Sequence, residues 1–542
     1  MYDEMDRSMK ELRMENEAAP YYIAYTVVDF QHSLIEAEFG TGKIQTEGKG
    51  RNLRIDLRVG SPNRDNGNVL DPIAASYARP SPLPVEDDYQ ILRRKIWLRT
   101  DEAYKGALAV LAQKFRAEKD LSKSSEETHI NLAPAQAAKT VYTPAVSKQD
   151  LESEKLAQLV IQLSSIFRDY PDIQESVVRG RSELVRTRIL TSDGHWRDER
   201  RSYVQLSVNV NTQAMDGTPI RSWENFNVAK VADLPAFPKL EMEIRTMVTE
   251  FLATQRAPKV EAGNAVVLFE APAAARLMRR LLSDNLSGTP APLLPRALNS
   301  QEPGSGGSYF SSKLGQQVGP AFLRVYDDPR SDVVLGNHYL FGAYRADDEG
   351  VPAEKVELIQ NGILKSLYMS RTPRKEIGLS NGHGRGVANA GAVRGGPGVL
   401  FIQSHGTNLA YSDKDLRAEA LREAKAQGGK TSVYVVRQVD TRQRDTIPLT
   451  MFRLLPDGKL ETVRGANLGN LTPRSLKNLV AMGRTLFANN VTGDVFIFAG
   501  GVYSSVVSPA LVFKDVEITP NHRRPPRLPN YPHPYFAGSA KK

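Results

Sequence analysis

No cysteine occurs anywhere in the 542 residues. That absence excludes a disulfide framework, a Cys-based zinc finger, an iron–sulfur cluster and a thiol nucleophile. Any zinc would have to rest on carboxylates and on the eight histidines. No stretch approaches the ~20 consecutive apolar residues of a membrane-spanning helix. Nor does any histidine precede a glutamate, so the zinc-protease helix motif HExxH is missing, as are the GxxxxGK[ST] phosphate loop and the GxSxG nucleophile elbow. The net charge of +9, from 71 Lys+Arg against 62 Asp+Glu, is not gathered into a long basic run. The nearest approach is His522-Arg523-Arg524-Pro525-Pro526-Arg527, so the chain lacks the concentrated footprint of a nucleic-acid binder. Met1-Tyr2-Asp3-Glu4-Met5-Asp6 is acidic and polar, unlike a signal peptide, and leaves two compartments open: the cytoplasm, or export with the leader already removed.

What is present is an ordinary globular composition, 41% hydrophobic and 25% charged, long enough to bury more than one core. Met5, Met9 and Leu12 share one helical face ahead of Pro20, and a β-rich run starts at Tyr21. Leu53, Ile55, Leu57 and Val59 alternate with charged residues, which predicts a half-buried strand. Helices are expected over 89–119, 149–167 and 240–252, hairpins over 175–227, and a connector over 121–146. The Ala257-Pro258 step marks the expected domain boundary. Beyond it come a strand at 265–269, a helix at 271–286, a Gly/Pro/Ser-rich stretch at 288–307, and then mostly strands. Asn361-Gly362 and Pro456-Asp457-Gly458 are hairpin turns. Two helices interrupt, Ser412–Gln427 with Ser412 and Asp415 as a capping box, and Thr472–Leu486 with Pro473 at its first turn. The last strands are expected at 494–499 and 510–518. The fold class is α+β. A mixed helix/antiparallel-sheet domain (1–256) precedes a mostly β domain (257–518), barrel-like or sandwich, and a proline-rich surface tail (519–542).

The histidines at 32, 129, 195, 338, 383, 405, 522 and 533 form no local pair on a helix, and His195 and His533 are expected to face solvent. Gly304–Gly307 and Gly382–Gly386 read as tight surface turns. Asp347-Asp348-Glu349-Gly350 could meet a hard cation, but it lacks the spaced oxygens of a calcium loop and reads as a capped turn entering a hairpin.

The second half resembles the TldD/PmbA family of metallopeptidases and their partners, formerly called gyrase modulators. The resemblance rests on Val266-Val267-Leu268-Phe269-Glu270-Ala271-Pro272 through Met278, on Ser311–Gly315, Asp347–Ala353 and Asn361–Leu364, and on Ser505–Leu511. In that family the catalytic helix carries HExxxH, two imidazoles and a distant Cys binding zinc with the Glu as general base. The resemblance sets Arg279 and Arg280 at the first His and the Glu, and Asp284 at the second His. Guanidiniums repel a metal, and the cysteine ligand is absent. No catalytic, cofactor-binding or metal residue is therefore expected. The resemblance implies a non-catalytic subunit of the PmbA (TldE) kind, paired as a heterodimer or higher oligomer with a zinc-bearing TldD-type paralogue and acting on unfolded peptides, away from any membrane. Arg280 and Asp284, at i and i+4, would form a local ion pair, and Arg279 could alternatively meet a substrate carboxylate. Two rival functions rank below. One is an active hydrolase built on His383 or His405 with Asp347 or Glu349; the other is a nucleic-acid-associated scaffold.

Overall fold

The computed structural model describes residues 1–69, 80–121, 132–133, 140–142, 150–290, 308–335, 338–386, 393–406, 410–428, 432–441, 446–491, 502–521 and 534–537. The first half of the chain is built on an eight-stranded sheet. Its spine is two long hairpins, β1 (Pro20–Glu38) with β2 (Thr41–Ser61), and β3 (Glu175–Thr191) with β4 (Trp196–Gln213). β1 joins them by pairing antiparallel with β3, and β5 (Pro219–Val228) adds to the outer edge of β4.

Strand periodicity decides which face each helix covers. Ile23, Tyr25, Leu53, Ile55 and Leu57 form one apolar cluster with α1 (Tyr2–Glu11) and α2 (Tyr89–Leu121). Further along, Ile35, Val178, Leu206 and Val208 pack against α3 (Ser153–Ser164) and α4 (Phe237–Arg256). α1 stops at Glu11, well before Pro20, which opens β1 instead of ending the helix.

The second half is a twelve-stranded mixed sheet. Its main path runs Ile363–Leu364, Val356–Gln360, Leu323–Asp327, Val399–Ser404, Ser504–Pro520, β6 (Gly263–Phe269), β7 (Ser432–Asp440), β8 (Ile447–Leu454) and Leu460–Val463. Among the described residues the two outermost strands do not pair, so the sheet is open, and of the barrel-like or sandwich forms expected no closed barrel is formed. β6 shows why: Val267 and Phe269 pack under α5 (Ala271–Leu282), while Val266 and Leu268 pack under α6 (Asp413–Ala426). A strand buried on both faces reads as a continuous apolar run, as Ala265–Phe269 does.

Several local expectations hold. Asn361 and Gly362 take φ of 53° and 71°, the left-handed pair of a type I′ turn. The Ser412 hydroxyl accepts the Asp415 N–H at 3.3 Å at the start of α6. The helix expected at 472–486 is a correction. Thr472 and Pro473 start only a 3-10 turn over Pro473–Asn478, and Leu479–Val491 is a strand paired with Ser504–Phe513. The long central strand Ser504–Pro520 offers a ladder that outweighs the local helical spacing. The expected strand at 494–499 lies outside the described residues, as does most of the 121–146 connector. Of the tail, residues 534–537 are described, with the Tyr535 ring 5.8 Å from that of Phe39.

Gly342 lies where the two strands Val399–Ser404 and Ser504–Pro520 begin. A Cβ there would sit 2.1 Å from Gly398 O and 2.6 Å from Ser505 N, both rigid backbone. Gly342→Ala is expected to destabilise the protein by about 1–3 kcal/mol, seen as a lowered denaturation midpoint at unchanged slope.

Candidate functional site

A cavity of about 1290 Å³ lies between the two halves. One wall is β5 and the inner face of α4; the other is the start of α5, the end of β7, and residues 487–491. The β6–α5 junction opens directly onto it. Glu270 is the residue between strand and helix, its carbonyl accepting the Ala274 N–H at 2.8 Å and its N–H donating to Val436 O at 2.9 Å. Ala273, Ala274, Ala275, Leu277, Met278, Leu281 and Leu282 bury one face of α5. The helix is consequently locked in rotation, and Pro272, Arg276 and Arg279 are turned to the cavity.

Charges in the cavity are mostly tied to one another. Arg437 donates from Nε to Glu270 Oε2 at 2.7 Å and pairs with Glu250 through Nη1. Arg179 pairs with Glu36, and Arg221 with Asp440. Burial pushes the Glu250 carboxyl up despite Arg437, and burial does the same to Glu224. The Arg276 guanidinium lies 5.2 Å from the centre of the Trp223 ring, a cation–π contact across the cleft.

The three residues singled out from the sequence separate. Arg279 is half-buried at the cavity wall, with no ion pair or hydrogen bond among the described residues. Arg280 turns away and donates to Thr446 Oγ1 at 2.8 Å. Asp284 falls in a 3-10 turn (Ser283–Asn285), and its side chain lies outside the described residues. Glu270 was missed. Its signal was a single carboxylate placed between an apolar strand and a helix, with the cavity supplied by residues far away in sequence.

The rival constellation is not assembled. His383 is fully buried between the rings of Tyr344 and Tyr368, with Nδ1 2.9 Å from Asn381 O and Nε2 3.2 Å from Asp327 Oδ1. Asp327 also accepts from Tyr368 Oη and from the Gly398 and Val399 N–H groups, so this pair braces a turn. His405 is exposed, in a separate place. His195 corrects the expectation of a solvent-facing ring. It is buried against Gly350, and burial pushes its imidazole down, towards the neutral form. His533 lies outside the described residues.

The acidic run is a buried turn. Asp347 Oδ1 accepts the N–H groups of Glu349 and Val351 at 2.9 Å each, and Oδ2 accepts that of Gly384 at 2.8 Å. Asp348 meets Arg197 at 3.4 Å, and Glu349 Oε2 accepts the Arg371 N–H at 2.6 Å. No group of three or more His, Asp or Glu among the described residues is arranged to hold a metal ion.

Known proteins share this fold. The strand–helix junction and the sheet around it define a metallopeptidase-type C-terminal domain: residues 262–520 match the family model for the PmbA/TldA metallopeptidase C-terminal domain. This second half of the chain is a domain of the TldD/PmbA family. A metalloprotease of Methanocaldococcus jannaschii is 42% identical over 64 residues, 12% of this chain and 13% of the relative. One from Archaeoglobus fulgidus is 29% identical over 192 residues, 33% of this chain and 39% of the relative. The similarity to these curated relatives thus spans well under half of their length. Two crystal structures, each 14% identical, share the fold. A candidate modulator of a DNA gyrase from Thermotoga maritima gives a TM-score of 0.61 over 96% of this chain and all of its own. TldE from Thermococcus kodakarensis gives 0.58 over 92% and 97%.

Glu349 yields a test of the buried turn. Burial, then the neighbouring Asp347, pushes its carboxyl from 4.5 to about 8. A raised acid contributes stability that is fully present below pH 4.5 and lost as pH climbs through 8, because ionisation is then forced on the buried carboxyl. Glu349→Gln stays neutral and can still accept the Arg371 N–H. Its stability relative to wild type is expected to rise steadily from about pH 5 to about pH 9, measured by urea denaturation at each pH. A flat difference would contradict a buried neutral carboxyl.

Proposed function

We propose that this protein is a non-catalytic subunit of a peptidase, pairing with a zinc-bearing TldD-type paralogue in a heterodimer or higher oligomer and acting on unfolded peptides. The observation that carries the proposal is the composition of the β6–α5 junction where it meets the cleft. In the register that sets Arg279 and Arg280 at the first two motif positions, one guanidinium faces the cavity and the other faces Thr446. Sliding the HExxxH template so that its glutamate falls on Glu270 suits the cleft better, and it keeps the one acidic residue of the motif. Phe269 and Ala274 then take the imidazole positions, and both are fully buried in the core. Neither register supplies a ligand, and the sequence holds no cysteine. Glu270 itself accepts from Arg437 Nε at 2.7 Å, which commits its carboxylate to an ion pair and not to a place beside a metal-bound water. The residues present do not fit zinc. In the same proposal, 1–256 and 257–518 act as two domains that enclose the cleft.

Edge geometry supports peptide as the ligand. β5 pairs only with β4 among the described residues, so its other edge fronts the cavity and could accept an extended chain as an added strand. The hydrolase alternative has no such support, since its histidines are sealed or remote.

Metal analysis of the purified chain tests the first half of the proposal, with far less than one zinc per chain expected. Stoichiometric zinc bound by the isolated chain would falsify it. For the second half, unfolded-peptide cleavage is expected only when a paralogue carrying HExxxH is added, and cleavage by the isolated chain would reverse the assignment.

A further inference from the structure

We infer that the cleft receives the carboxy-terminal end of an extended peptide, with Arg279 holding the terminal carboxylate. This deepens the peptide-binding role proposed above and rests on it.

The first observation is the direction in which β5 presents its main chain. The Trp223 carbonyl accepts from Gln438 Nε2 at 2.5 Å, and the Asn225 N–H donates to Glu224 Oε1 at 3.4 Å, so neither group is spent on β4. In an antiparallel ladder the outward groups recur every second residue. Trp223, Asn225 and Asn227 therefore aim their N–H and C=O into the cavity.

The second observation is that this edge is blocked at one end. The Gln438 side chain occupies the Trp223 carbonyl and also accepts from Ser222 Oγ at 2.8 Å. A peptide adding to β5 can use the Asn225 carbonyl and the groups of Asn227 but cannot run on past 223, so it must end or turn away there.

The third observation is the charge waiting at that blocked end. Arg276 lies over the Trp223 ring, and Arg279 follows one helical turn later on the same face of α5. Arg279 is half-buried and has no anionic partner among the described residues. Most of the other acids that line the cavity are held elsewhere. Glu250 and Glu270 are held by Arg437, Glu36 by Arg179 and Asp440 by Arg221, and Glu243 faces Lys239 at 4.0 Å. Burial drives Glu224 towards its neutral form. A blind-ended strand edge that finishes at an unpaired planar guanidinium suits a carboxylate, which Arg can engage through two parallel N–H donors. An internal peptide segment would leave that charge unmet.

The test uses the full chain and one short, unstructured, fluorescently labelled peptide in two forms, free acid and C-terminal amide, with binding read by anisotropy. Wild type is expected to bind the acid about tenfold more tightly than the amide, the scale of one charge-assisted pair. Arg279→Gln is expected to lose that discrimination by weakening the acid while leaving the amide unchanged, and Arg279→Lys to keep part of it. Equal affinity for acid and amide in wild type, or discrimination that survives in Arg279→Gln, overturns the inference while peptide binding stands. Failure of both peptides to bind overturns peptide binding by this cleft and the inference with it.

Discussion

Guanidinium groups that cross between the two sheets hold this molecule in its shape. Arg197 on β4 reaches the Asp347 carbonyl and the Asp348 carboxylate, and Arg201 on the same strand meets Asp332 at 3.0 Å. Arg181 donates to Tyr503 Oη, and Arg54 donates to the Asp348 carbonyl. From the other half, Arg371 meets Asp193 at 2.7 Å, Arg464 meets Asp216 at 3.2 Å, and Arg437 pairs with Glu250. A chain without cysteine cannot staple two sheets covalently. It uses instead a donor that reaches across a seam and fixes orientation through several directed hydrogen bonds. Pairs of this kind add little net stability when buried, because desolvation offsets the attraction. Their contribution is geometric, and the apolar share of the seam, Val185, Tyr203, Phe341 and Tyr503, provides the burial.

The cleft arises from that seam. Where the arginines and the small aromatic cluster close the halves, the space left is only about 130 Å³. Where β5 and α4 diverge from α5 and β7, the gap is about 1290 Å³. Arg437 lines it, and by tying Glu250 of one half to Glu270 of the other it connects the seam to the strand–helix junction. The rotation of α5, set by its buried alanines and leucines, then decides which of its three arginines face the open space. Arg276 and Arg279 do, and Arg280 does not.

How much of this could be read from the sequence depended on how local the determinant was. β6 was legible because a strand buried on both faces leaves an unbroken apolar run. The Asn361-Gly362 turn was legible because few other pairs accept two positive φ values. α6 announced itself through Ser412 and Asp415. Leu479–Val491 was not legible: Thr472 and Pro473 correctly signal a helical turn, but its continuation as a strand is decided only by the Ser504–Pro520 ladder, distant in sequence. His195 was misplaced for a similar reason, since the turn that precedes it is visible locally and the residue that covers it, Gly350, is not. The cleft was invisible because its walls come from Trp223, Glu250, Arg276 and Arg437, which share no local pattern. A resemblance could point to the β6–α5 segment, yet which of its side chains face the cleft depended on the helix rotation: Glu270, Arg276 and Arg279 do, and Arg280 does not.

The charge excess takes on a different meaning in this light. An excess of nine positive charges in 542 residues first suggests anionic polymers. Much of the arginine is instead spent inside the protein, pairing with carboxylates across the seam and around the cavity, where a solvent-facing polyanion could not reach it. A metal centre would need the opposite arrangement at the β6–α5 junction: neutral imidazoles, a free carboxylate and no neighbouring cation. Arg437 bound to Glu270, together with Arg276 and Arg279 on the next turns of α5, makes the electrostatics of this junction hostile to a dication and welcoming to an anion. On the reading proposed above, this strand–helix frame serves binding, with its selectivity set by the charges that α5 and β7 turn to the cleft.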